Sequence, residues 1–250
     1  MGVEVKRTGS LLLLTLNREE RLNALDTDMR TAIVEALNAA SEDDEVRAVV
    51  LTGKGARAFC AGQDLNESRQ LSPDGGDAWM DTWQRFFAAV SQCRKPIVAA
   101  VNGTAAGAGL QLALMADLRV AVPTARFLMA EINVGLPAIA GSYLLQTHLG
   151  QARMRELVLT GRVFTAEEAS EWGLVQETRP PDQLMERAEA MALHLAEKPP
   201  VAMRLTLEML RGMMRRGLSE AETAAVSYQS EAIATGEPQA QMARFFEARR

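Results

Sequence analysis

The sequence predicts an α/β fold followed by a helical region, and three observations carry that reading. The first 130 residues alternate short apolar runs with stretches of helical periodicity, the pattern that layers helices on a parallel sheet. Two of those runs, Val49 to Gly53 (VVLTG) and Val98 to Gly103 (VAAVNG), end at a glycine ahead of a loop of small residues, as stacked strand-turn-helix units do. Beyond residue 130, strands give way to helix candidates punctuated by Gly and Pro. Residues 1–195 are therefore expected to form the core and 196–250 a C-terminal helical region.

In chain order, residues 2–7 and 10–16 read as two short strands joined at Gly9, and 17–24 as a polar loop. With Asp26 or Thr27 as N-cap, Met29, Ala32, Ile33, Ala36, Leu37 and Ala40 keep helical spacing up to the acidic break Glu42-Asp43-Asp44. A strand over 46–51 ends at Thr52-Gly53. The loop 54–64 follows, then a polar segment with Pro73-Asp74-Gly75-Gly76 that reads as mobile, then a helix over 79–90. Ile97 to Val101 is a strand, and 107–115 an apolar helix. Residues 117–122 and 127–130 read as strands, 130–142 as a shaped loop, and 143–149, 152–159 and 166–171 as helices. Helices over 181–196, 201–214 and 220–235, with a short one over 238–250, close the chain. Met203, Met209, Met213 and Met214 share one of them, as adaptable core or subunit contact.

Composition narrows the function. A chain of 250 residues that is 48% hydrophobic can bury a large core in one domain. Its formal charge of -5, with Lys and Arg scattered, argues against nucleic acid or an anionic membrane as the main partner. Cys60 and Cys93 form no CxxC pair, and with only His148 and His194 beside them no metal site is expected. A reducing, cytoplasmic setting is the default. The run Leu11 to Leu14 is too short for a signal peptide, and no apolar stretch is long enough to span a membrane.

The stretch from Lys95 to Val122, KPIVAAVNGTAAGAGLQLALMADLRVAV, is the chemical centre of the chain. It reads as strand, tight turn and helix N-terminus, where unpaired backbone N–H groups and the helix dipole can hold a negatively charged oxygen. Its Gly and Ala residues let a ligand come up against the backbone. The glycine spacing is not G-x-G-x-x-G and no Gly-Lys-Ser/Thr follows, so dinucleotide and phosphate-loop readings do not stand. Ser142 lacks a G-x-S-x-G elbow and shares its segment with His148, against a serine hydrolase.

FCAGQDL (Phe59 to Leu65), NGTAAGAGLQLALMADLRVA (Asn102 to Ala121) and AEINVGLP (Ala130 to Pro137), in that order and spacing, resemble the enoyl-CoA hydratase/isomerase (crotonase) family. The resemblance extends to LNREERLNAL near the start and LTGRVFTAEEASEWGLV from Leu159 to Val175. It implies a crotonase-like ββα spiral core with a C-terminal helical trimerisation region, assembling as a homotrimer or as a hexamer of two trimers. It also implies an acyl-CoA thioester as substrate, with coenzyme A entering as part of that substrate and no separate cofactor. The thioester oxygen would lie between the backbone N–H groups of Gln63 and Ala108, because donors already aimed at a developing enolate stabilise it. Backbone contacts to coenzyme A are implied along Leu22, Ala24, Ala61, Gly62, Asp64, Leu65 and Gly107, with Arg21, Lys54 and Arg57 as candidate phosphate partners.

Of the two glutamates that many family hydratases use, the second matches Glu131 and the first falls on Gln111. An amide orients water or substrate but exchanges no proton at ordinary pH. Hydration shares its proton transfers between two carboxylates, whereas moving a double bond from the β,γ to the α,β position needs one carboxylate that removes a proton and returns it. The resemblance therefore favours double-bond isomerisation with Glu131 as acid/base. Hydration with Gln111 assisting, or an acyl-CoA-binding member without turnover, stand as alternatives. The Gly- and Pro-rich run after Glu131, from Gly135 to Gly141, is one residue shorter than the family's, and this loop, the segment 66–79 and the terminal helices are expected to shape the acyl pocket.

Overall fold

The computed structural model describes residues 2–69 and 76–247. The segment around Pro73, Asp74 and Gly75, read above as mobile, lies outside the described residues. Strand β1 (Val3–Thr8) turns at Gly9 and runs antiparallel to β2 (Leu11–Leu16). After α1 (Thr27–Glu42), β2 is joined in parallel by β3 (Ala48–Gly53). Asp26 is the N-cap of α1, its side chain accepting from the Met29 N–H at 2.9 Å. The chain then leaves this sheet for β4 (Ala58–Cys60) in a second sheet, and α2 (Leu65–Arg69) and α3 (Gly76–Gln92) bring it back.

The next turn repeats the course. β5 (Ile97–Val101) pairs in parallel with β3, β6 (Thr104–Ala106) with β4, and α4 (Ala108–Met115) follows. A third turn adds β7 (Leu118–Ala121) to the first sheet and β8 (Arg126–Leu128) to the second. The helix α5 (Ile139–Thr160) leads to β9 (Phe164–Thr165), antiparallel to β8, and α6 (Ala166–Glu171) to β10 (Glu177–Thr178), parallel to β7. The result is a spiral that lays one strand on each sheet per turn, giving orders β1-β2-β3-β5-β7-β10 and β4-β6-β8-β9.

Burial follows from that layering. Every residue of β3 and β5 is buried, as expected of parallel strands covered on both faces. The helix α7 (Leu184–Ala196) covers the first sheet with Ala188 and Ala192, whose small side chains let it approach closely. All eight residues of α4 are buried, and apart from Gln111 all are apolar, so this helix is covered all round rather than amphipathic.

Three sequence expectations are corrected. β4 and β6 lie where loops were expected, because strands of three residues are too short to show a periodicity. The shaped loop 130–142 already contains a 3₁₀ turn, Glu131–Val134, and the first turn of α5, while the gap expected near residue 150 survives as a break at Gly150, φ 75°. The two helices expected over 201–214 and 220–235 are one, α8 (Pro200–Ala234), followed by α9 (Glu237–Glu247). Gly217 does not end a helix. A Cβ there would sit 2.3 Å from the Tyr143 ring, so the glycine lets α8 cross close over α5. The buried Arg211 anchors α8 to the sheet through Asp117 (2.5 Å) and the carbonyls of Cys93 and Lys95. Asp117 also accepts from the Ile97 N–H at 2.7 Å, so it ties the end of α4 to β5 as well as to α8.

Candidate active site

Two backbone segments are sewn together at one rim of the site. Leu25 N–H donates to Gly62 O (2.7 Å), Asp64 N–H to Leu25 O (3.0 Å) and Ala61 N–H to Leu22 O (3.0 Å), so residues 22–25 and 61–64 pair like short parallel strands. Leu22 and Asn23 both have positive φ, 53° and 56°, which costs non-glycine residues. Asn23 offsets it by donating to the carbonyls of Lys54 (3.0 Å) and Ala58 (2.9 Å) and accepting from Arg18 N–H (3.1 Å). Arg18 in turn bonds Asp64 (2.9 Å), Asp26 (3.0 Å) and Ala24 O (2.8 Å). Burial pushes the Asp64 carboxyl up, but Arg18 and Asn66 together hold it below the usual range, so it braces the rim as an anion.

The small-residue loops after β4 and β6 meet backbone to backbone. A Cβ on Gly62, φ 97°, would lie 2.7 Å from Ala106 O and 3.4 Å from Ala108 N; one on Gly109 would lie 2.2 Å from Cys60 O. Only glycine permits that approach. Gly107 N–H donates to Leu128 O (3.0 Å), and the next N–H, that of Ala108, heads α4 where no intrahelical acceptor exists. The third turn of the spiral delivers Glu131 to the same place, with its Oε1 3.5 Å from where a Cβ on Gly107 would be.

Gln111 lies one turn into α4, buried, and its Nε2 donates to Glu131 Oε1 at 2.8 Å. Glu131 Oε2 is buried with no hydrogen-bond partner among the described residues. Burial pushes the Glu131 carboxyl up to about 7, although donation from Gln111 works in the opposite direction. A group poised near neutrality can both take and return a proton at working pH.

A cavity of about 490 Å³ opens over these groups, within the range of small-molecule sites. Its lining contains the catalytic candidates and the residues expected to contact coenzyme A through the backbone: Leu22, Ala24, Ala61, Gly62, Gln63, Asp64, Leu65, Gly107, Ala108, Gln111 and Glu131. Of the cations expected near phosphates, Arg21 lines it, whereas Lys54 sits 3.7 Å from Glu4 and Arg57 donates to Glu19 O, both outside the lining.

The segment 66–79, the loop around Pro137 and the terminal helices, expected from the sequence to shape the pocket, all contribute to its walls, but their individual side chains were not singled out. Trp79, Trp83 and Phe87 of α3 line the cavity, braced by the buried Arg30, whose guanidinium lies 4.3 Å from the Trp83 ring centre and bonds Glu67 at 3.1 Å. Their spacing of four along a helix was the available signal. Glu222, Ala225 and Gln229 of α8 also line it, and no motif pointed to them.

Other reactive side chains are occupied. The Cys60 thiol is buried and pushed up to about 12. Ser142 donates to Ala138 O, and the His148 ring, driven down to about 4 by burial, bonds Leu114 O, so the two form no nucleophile-base pair. Among the described residues no three His, Cys, Asp or Glu side chains converge as a metal site, and no helix is long and apolar enough to cross a membrane.

This architecture defines a class: a ββα spiral whose two backbone loops and one buried carboxyl meet in a single cavity. The chain matches the enoyl-CoA hydratase/isomerase family over residues 6–250, and it belongs to that family of enzymes, which act on acyl-CoA thioesters. It is 38% identical to 1,2-epoxyphenylacetyl-CoA isomerase of Escherichia coli over 85% of this chain and 80% of that one. It is 31% identical to short-chain-enoyl-CoA hydratase of Clostridium acetobutylicum, over 93% and 88%. The fold is that of the crotonases: an enoyl-CoA hydratase/isomerase from Pseudoalteromonas atlantica superposes with a TM-score of 0.90, 33% identical, over 99% of this chain and 98% of that one.

Proposed function

We propose that the chain isomerises the double bond of an enoyl-CoA, moving it from the β,γ to the α,β position, with Glu131 as the single acid/base. The observation that carries this reading is the Gln111 to Glu131 hydrogen bond of 2.8 Å. At the place where a second proton-transferring carboxylate would stand, the chain has an amide that holds the first one in position. The backbone N–H groups of Gln63 and Ala108 take the thioester oxygen, and Glu131 removes a proton from the α carbon and returns it to the γ carbon. No net proton is gained or lost, so one carboxyl suffices. Coenzyme A lies along Leu22, Ala24, Ala61, Asp64 and Leu65 as part of the substrate, and the chain assembles as a trimer or a pair of trimers.

Relatives named for hydration favour a second reading, in which Gln111 orients a water beside Glu131. A paired assay separates the two. A 3-enoyl-CoA and a 2-enoyl-CoA are offered separately and products are resolved by mass and retention. Isomerisation predicts a product of unchanged mass from the first, reduced at least ~100-fold in Glu131→Gln while ester binding persists. Water addition to the 2-enoyl ester instead establishes hydration, and inertness to both with binding intact overturns both readings in favour of hydrolysis, other acyl groups or a binding role.

A further inference from the structure

The far wall of the cavity carries chemistry that the proton transfer does not use. α8 packs against α5 and α3, which contribute Ile139, Ala140, Trp79 and Trp83 to the lining. From α8 the lining receives Glu222, Ala225 and Gln229, spaced by three and four so that they share one helical face. Glu222 is half-buried in this wall, and neither a hydrogen bond nor an ion pair to it is present among the described residues. Burial alone raises its carboxyl to about 7. A plain alkyl tail laid against such a wall strips its water and returns nothing.

Resting on the acyl-CoA reading above, we infer that Glu222 and Gln229 form a hydrogen-bonding subsite for a hydroxyl group at the distal end of the acyl chain, making the enzyme selective for hydroxylated acyl groups over plain alkyl ones. A hydroxyl both donates and accepts, so it satisfies a carboxyl in either protonation state and an amide beside it. Ala225, between them on the same helical face, presents only a methyl group to the cavity lining.

Binding of saturated esters tests this independently of turnover, because they carry no double bond to move or hydrate. Calorimetry on the full chain compares coenzyme A, hexanoyl-CoA and 6-hydroxyhexanoyl-CoA. The parent is expected to bind the hydroxylated ester about tenfold or more tighter than the plain one. Glu222→Leu should invert or erase that ratio, Glu222→Gln should retain most of it, and Ala225→Leu should weaken both six-carbon esters while sparing coenzyme A. A parent that prefers the plain ester, or a ratio unchanged in Glu222→Leu, overturns the subsite while leaving acyl-CoA binding intact. Failure of all three ligands to bind overturns the acyl-CoA reading itself and the subsite with it.

Discussion

Glu131 is a carboxyl that the fold makes costly to ionise, and two consequences are measurable. Its base form accumulates only as the pH rises through about 7, so kcat/KM should fall with decreasing pH below that value. Gln111→Leu removes the bond that favours the anion, and a pH profile should show the same limb displaced to higher pH, with the acid form persisting further. The second consequence concerns stability. Folded Glu131 holds its proton more tightly than the unfolded chain does, so unfolding releases protons and the folded state weakens as pH rises from about 4.5 to 7. Glu131→Gln should therefore stabilise the protein at pH 8 by about 1–3 kcal/mol, seen as a higher Tm, and that gain should vanish by pH 4. The position of Glu131 was legible in the sequence through its motif. Its burial was not, because the residues that desolvate it come from separate turns of the spiral.

Glycines act at the level of elements, and their contexts predict opposite outcomes. Gly109→Ala would push a methyl to within 2.2 Å of Cys60 O, forcing α4 away from β4, and should cost about 1–3 kcal/mol together with most of the turnover. Gly212 in α8 has open space where a Cβ would go, so Gly212→Ala should raise Tm by about 2–4 °C, the gain of roughly 1 kcal/mol expected in a helix interior. Thermal unfolding of the two variants checks both. The same pair shows why some element boundaries could be read and others not. Asp26 and Pro200 announce helix starts by local chemistry, whereas Gly217 looks like a helix end until the Tyr143 ring appears beside it. Strands of three residues such as Ala58–Cys60 are defined by the neighbour they pair with, which no local window contains.

For the molecule as a whole, α8 carries Val201, Leu205, Met209, Leu210 and Met213 on its surface, each more than half exposed. Apolar exposure on that scale marks a surface for association. Light scattering is expected to give a trimer or a multiple of it, and a monomer would count against the proposed assembly. α/β layering was legible from alternation, and the rim and the small-residue loops after β4 and β6 from their motifs. That the terminal helices shape the pocket was expected, but Glu222 and Gln229 themselves could not be picked out, since they sit on a helix whose polar spacing resembles any solvated face.

The spiral also sets a gauge. Successive turns advance by one strand spacing, about 4.8 Å, and with glycine at 62 and 109 the distance between the peptide after β4 and the peptide that opens α4 is set by main chain rather than by the side chains of the walls. Substitutions in the walls can retune which acyl chains are accepted, each affecting some esters more than others. One residue inserted between Cys60 and Gln63 alters the step itself, and turnover of every ester should fall together, because the opening is measured in main chain.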